Sequence, residues 1–125
     1  VFVISTNGES GGAVAVIGKD STFVDCIFES NSGESGGAVN ADGLGLTFQN
    51  CNFFNNSSDK GGAIIGRNFT ASDCTFDNNR VSGEGGAVHT TGTNTTFENC
   101  TFHENSATNG GAIRGGSFTA LICIY

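Results

Sequence analysis

The chain has 125 residues, one domain's worth, and its 37% apolar residues with eleven Phe are enough for a thin core. A formal charge of −7 with only five basic residues is poor material for a phosphate-binding surface, so no nucleic-acid partner is expected. No run approaches the roughly 20 apolar residues that span a bilayer, so no membrane insertion by this segment is expected, and twenty Gly with no Pro favour short strands and sharp turns over helices.

Taken in chain order, the elements repeat. Val3-Ile4-Ser5-Thr6-Asn7 leads into Gly11-Gly12-Ala13-Val14 just as Ile27-Phe28-Glu29-Ser30-Asn31 leads into Gly36-Gly37-Ala38-Val39. The Gly-Gly-Ala-Val/Ile motif returns at Gly61, Gly85 and Gly110, so the starts 11, 36, 61, 85 and 110 are 25, 25, 24 and 25 residues apart. Between successive motifs stands Asp or Asn, then Cys, then an aromatic two places on: Asp25-Cys26-Ile27-Phe28, Asn50-Cys51-Asn52-Phe53, Asp73-Cys74-Thr75-Phe76 and Asn99-Cys100-Thr101-Phe102. An asparagine follows three residues after each aromatic, at Asn31, Asn56, Asn79 and Asn105, and the last interval stops at Cys123-Ile124-Tyr125.

A period of 23 to 26 residues fits one turn of a solenoid. A leucine-rich repeat needs recurring Leu, and only Leu44, Leu46 and Leu121 are present. Alternation supports a parallel β-helix instead. Positions 26 and 28 lie on one face of a strand, as do 51/53, 74/76 and 100/102, each a Cys with a Phe, while the residues between them are mostly polar. Thr22-Phe23, Thr47-Phe48 and Thr96-Phe97 predict another strand three residues before each Cys. That odd separation calls for a bend ahead of Asp or Asn to turn both faces inward. The third and fifth repeats read Asn68-Phe69-Thr70-Ala71 and Ser117-Phe118-Thr119-Ala120, and their span from the first Gly to Cys shortens from 15 residues to 13. Gly-Gly-Ala-Val/Ile is read as a corner followed by the start of a strand. The chain is therefore expected to be all-β: one β-helix segment over residues 1–125, about five coils, truncated or open at both ends.

Candidate sites come from columns that recur once per coil. Cys26, Cys51, Cys74, Cys100 and Cys123 lack the close C-x-x-C spacing of metal and redox sites and read as a buried ladder, with bridges between rungs the alternative. Phe28, Phe53, Phe76 and Phe102 read as an aromatic ladder, and Asn31, Asn56, Asn79 and Asn105 as an amide ladder satisfying backbone at a turn. Glu9, Glu34, Asp59 and Glu84 precede the glycine corners and read as a solvated acidic stripe, with calcium binding the sharper alternative. Candidate N-glycosylation sequons are Asn55, Asn56, Asn68, Asn94 and Asn99, with Asn68 and Asn94 favoured because they fall in the variable loop. His89 and His103 lie in different repeats and share no acid or cysteine motif, so both are read as surface residues. No catalytic residue, cofactor or metal is expected.

The double motif, GGA[VI] alternating with Phe28-Glu29-Ser30-Asn31, Phe53-Phe54-Asn55-Asn56, Phe76-Asp77-Asn78-Asn79 and Phe102-His103-Glu104-Asn105, resembles the repeat of the chlamydial polymorphic outer-membrane proteins. Similar repeats occur in large surface proteins of other bacteria and of protists, and the resemblance covers nearly the whole chain. It implies a right-handed, single-stranded parallel β-helix in a secreted or surface-displayed protein, often an adhesin. The expected function is structural and adhesive, at the cell surface or outside the cell, with a surface glycan or protein as ligand and no catalysis. Two alternatives stand beside it: a filament subunit stacking head to tail on further copies or further coils, and a carbohydrate-binding or polysaccharide-cleaving β-helix, whose site would lie along the variable loop.

Overall fold

The alternation of Cys, polar residue and Phe builds strands of only three to five residues, because a corner interrupts each run before it can lengthen. The computed structural model describes residues 2–4, 12–16, 19–41, 45–115 and 117–121. Its strands are β1 (Phe2–Ile4), β2 (Val14–Val16), β3 (Thr22–Val24), β4 (Cys26–Glu29), β5 (Ser32–Ser35), β6 (Val39–Ala41), β7 (Thr47–Gln49), β8 (Asn52–Phe54) and β9 (Ser57–Lys60). The second half continues with β10 (Ile64–Gly66), β11 (Thr70–Ser72), β12 (Thr75–Asp77), β13 (Arg80–Glu84), β14 (Val88–Thr90), β15 (Thr95–Glu98), β16 (Thr101–His103), β17 (Ile113–Gly115) and β18 (Phe118–Leu121).

All strand pairs are parallel and join equivalent positions of successive coils. A cysteine sheet runs β1-β4-β8-β12-β16, a glycine-corner sheet β2-β6-β10-β14-β17, a phenylalanine sheet β3-β7-β11-β15-β18, and a shorter serine sheet β5-β9-β13. Five strands deep in three of these sheets, the described chain makes about four full turns of an all-β solenoid.

The corners explain the motifs. Asp25, Asn50, Asp73 and Asn99 hold φ between 51° and 55°, the left-handed conformation that Asp and Asn tolerate best after Gly. The bend expected ahead of Asp or Asn thus falls on that residue itself, and it lets Phe23 and Cys26 face the same interior. A corner that the motifs did not reveal sits one residue before each ladder asparagine, at Ser30, Asn55, Asn78 and Glu104. The first glycine of the motif supplies another at Gly36, Gly61, Gly85 and Gly110, as at Gly61 with φ 60°. The second glycine answers a different need: a Cβ on Gly62 would lie 2.2 Å from the carbonyl oxygen of Gly86 on the next rung. The alanine that follows packs inward and is fully buried at Ala38, Ala63 and Ala87.

Three ladders fill the interior. Phe28, Phe53, Phe76 and Phe102 stack face to face, each centroid 4.8 Å from the next and the rings within 4° of parallel. The thiols of Cys51, Cys74 and Cys100 donate to carbonyl oxygens of the preceding rung, at 3.3, 3.5 and 3.4 Å from those of Phe23, Phe48 and Ala71. The third ladder is the asparagine column. Asn56 accepts on Oδ1 from both the backbone N–H and the Nδ2 of Asn31, each at 3.0 Å, and donates its own Nδ2 to Asn79 Oδ1 at 3.0 Å and to the Phe28 carbonyl at 3.0 Å. Asn79 repeats the pattern one rung on with Asn105 and Phe53.

The short third coil is repacked. Its two-residue deletion places Ala71 in register with Phe48 and Phe97, and moves Phe69 to the position held by Leu46 and Thr95. Phe69 is buried there, edge-on between Phe48 at 5.8 Å and Phe97 at 5.7 Å. The fifth coil follows suit, with Ala120 beside Phe97 and Phe118 beside Thr95.

Asn79→Ala should lower the unfolding free energy by about 3 kcal/mol, because it strands the Phe53 carbonyl and the N–H of Asn56 in a dry interior. Asn94→Ala, at an exposed loop position, should change it by less than about 0.5 kcal/mol. Urea unfolding of the two variants measures the difference.

Candidate functional site

The interior ladders commit one face of strands β4, β8, β12 and β16, so recognition chemistry there falls to the residues that alternate with them. On the cysteine sheet two outward rows result. The residue between Cys and Phe gives Ile27, Asn52, Thr75 and Thr101; the residue after Phe gives Glu29, Phe54, Asp77 and His103. Phe54 is 37% exposed, an uncommon state for so large an apolar ring, and it shares a shallow depression with Ile27, Glu29, Asn52, Thr75 and Asp77. The motif reading overlooked the second row, whose signal is the first variable position of Phe-x-x-Asn.

That row also pairs the histidine that seemed to have no acid. Asp77 and His103 are register partners on β12 and β16, and His103 Nδ1 lies 3.0 Å from Asp77 Oδ1. Glu104, held at the left-handed corner with φ 51°, brings Oε1 to 3.8 Å from Nε2 of the same ring. The hydrogen bond to Asp77 raises the pKa of His103 above the ordinary 6.5, and the charge of Glu104 adds to the effect.

His89 differs from the surface residue expected. It stands outward on β14 in register with Ile65 and Arg114, half-buried, and its Nδ1 is shut off from solvent without a hydrogen-bond partner among the described residues. Burial lowers its pKa, opposed by the nearby Glu84 and reinforced by Arg114. Arg114 pairs with Glu84 at 3.2 Å.

The acidic stripe is not one continuous column, because Glu84 stands one residue before its glycine whereas Glu34 and Asp59 stand two before theirs. A bulge between Val81 and Glu84 sets Glu84 in register with Lys60, and Lys60 with Ser35, so Glu84 faces a cation rather than Asp59. Asp59 instead accepts from the Ser82 hydroxyl at 3.0 Å. Glu9 lies outside the described residues, as do Cys123 and residues 17, 18, 42–44 and 116 of the variable loop.

Cys26, Cys51, Cys74 and Cys100 are free thiols and buried. Burial raises the pKa of Cys26, and hydrogen bonds with Cys100 and Cys51, with burial added, raise that of Cys74, which keeps those two thiols protonated, whereas the hydrogen bond with Cys74 lowers the pKa of Cys51, to about 7, and that of Cys100.

Among the sequons, Asn56 is closed: it is 0% exposed and its Nδ2 is used twice within the ladder, so a glycan on it would have no room. Asn55 and Asn99 are exposed corner residues. Asn55 Oδ1 accepts from Asn78, and Asn99 Nδ2 donates to Asp73 at 2.6 Å. Asn68 is half-buried and accepts the Asn94 backbone N–H at 3.2 Å, leaving the Asn94 side chain exposed at the loop.

Among the described residues no helix is long and apolar enough to cross a membrane. A family model described as a right handed beta helix region matches residues 3–122. No curated protein and no solved structure matches the chain.

His103 should titrate above pH 6.5 in a proton NMR series, and Asp77→Asn should bring its midpoint down. The protonated ring is the form the carboxylate favours. The pairing therefore supports the fold fully below pH 6.5, and its contribution fades as pH rises through the raised value.

Proposed function

The chain belongs to the right-handed β-helix family, and on that premise we propose that it is an extracellular or cell-surface scaffold that presents one outer face for adhesion and catalyses no reaction. The observation that carries the reading is the exposed Phe54 at the middle of the cysteine sheet's outer face, flanked in its own row by Glu29 and Asp77. An aromatic plane with hydrogen-bonding groups beside it suits a sugar ring, which offers an apolar C–H face to the aromatic and hydroxyls to amide and carboxylate. Asn52 and Thr75 supply further polar groups in the same depression. The ligand class is therefore a surface glycan.

The repeat's likeness to the chlamydial polymorphic outer-membrane proteins supports a surface location and an adhesive role. The flat, regular face supports the same reading, because the ladders beneath hold each outer side chain at a fixed spacing. An outer row can then change residue by residue without disturbing the core.

Screening the chain against immobilised glycans should give binding that Phe54→Ala weakens about tenfold, the loss expected when an aromatic contact of about 1.4 kcal/mol is removed. Glycan binding that is indifferent to Phe54→Ala, or no binding at all, would sink the reading. Release of reducing ends from a bound polysaccharide would replace it with the cleaving alternative.

A further inference from the structure

We propose that Asp77, His103 and Glu104 form a binding site for a divalent transition-metal ion of the zinc class on the outer face of the cysteine sheet. One nitrogen and two carboxylate oxygens from these residues lie within 4.8 Å of one another. The set arises from topology: β12 and β16 bring Asp77 and His103 side by side although they are 26 residues apart in sequence. The corner at Glu104 then swings its carboxylate toward the same ring.

The distances fit an ion. Two bonds of about 2.1 Å meeting at about 90° to 110° hold their donor atoms about 3.0 to 3.4 Å apart. Nδ1 and Asp77 Oδ1 are already 3.0 Å apart, so a cation can replace the proton they share. Glu104 Oε1 lies nearest the other ring nitrogen, Nε2, at 3.8 Å, and its side chain, 69% exposed, has room to swing to the Nδ1 side and join the ion there. Zinc-class ions favour a mixed imidazole and carboxylate set, whereas calcium and magnesium favour oxygen alone. Water would complete the coordination, since the site opens to solvent. The offset acidic stripe at the glycine corners differs on this point, because Lys60 occupies the place a second carboxylate would need.

Calorimetric titration of the full chain with zinc chloride at pH 7.5, with calcium chloride as comparison, tests the site. One equivalent of zinc should bind, with calcium weaker. His103→Ala should weaken zinc by about tenfold or more, and Asp77→Asn should weaken it too. In parallel, the ring resonances of His103 should move during a zinc titration while those of His89 stay. Both substitutions are at the surface, and circular dichroism checks that each variant keeps the wild-type fold. Absence of zinc binding, equal affinity in His103→Ala, or shifts centred on His89 would overturn the proposal.

Discussion

A primary amide has two donors and an acceptor with two lone pairs, and a solenoid interior can use all of them at once. Asn56 does so: its oxygen collects two bonds from the rung before it, and its nitrogen gives one to the rung after and one back to the Phe28 carbonyl. Each such residue holds both the spacing and the lateral register of its neighbours, since a shift of one residue would leave four bonds unmade in a dry place. The phenylalanine stack at 4.8 Å and the thiol column depend on that register, as neither ladder has directional contacts strong enough to set it.

The left-handed corners are the local counterpart of this lattice. They let short strands meet at an angle while keeping both flanking side chains on the inside, and the residues found there are those that bear positive φ at least cost. Glu104 is the exception among Asp, Asn, Ser and Gly, and it is also where a carboxylate is brought against the His103 ring. A residue poorly suited to the corner thus coincides with the one cluster of three such ligand atoms found among the described residues.

Much of this was legible in the letters. Strict periodicity gave the coil, the Cys-x-Phe alternation gave the inside, and the Gly-Gly-Ala motif gave a corner, because each reflects a constraint repeated at every rung. What stayed hidden depends on pairing between rungs. The move of Phe69 into the Leu46 position follows from a two-residue deletion whose effect is known only once Ala71 is paired with Phe48. The bulge between Val81 and Glu84, across which Glu84 stands opposite Lys60, was hidden as well. His103 looked partnerless because its acid is a whole coil away. Function was less legible than fold, since the outer rows carry no repeated letters to mark them.

Parallel stacking has one more consequence. Every rung meets only the rung before and the rung after, so nearly all long-range pairing in the chain spans the same sequence distance of one coil. The loop-closure entropy of adding a coil is therefore nearly constant however many have formed, and a chain of this kind lengthens without becoming harder to fold. Pulled from its two ends, it should yield coil by coil, each step releasing a similar length of chain at a similar force.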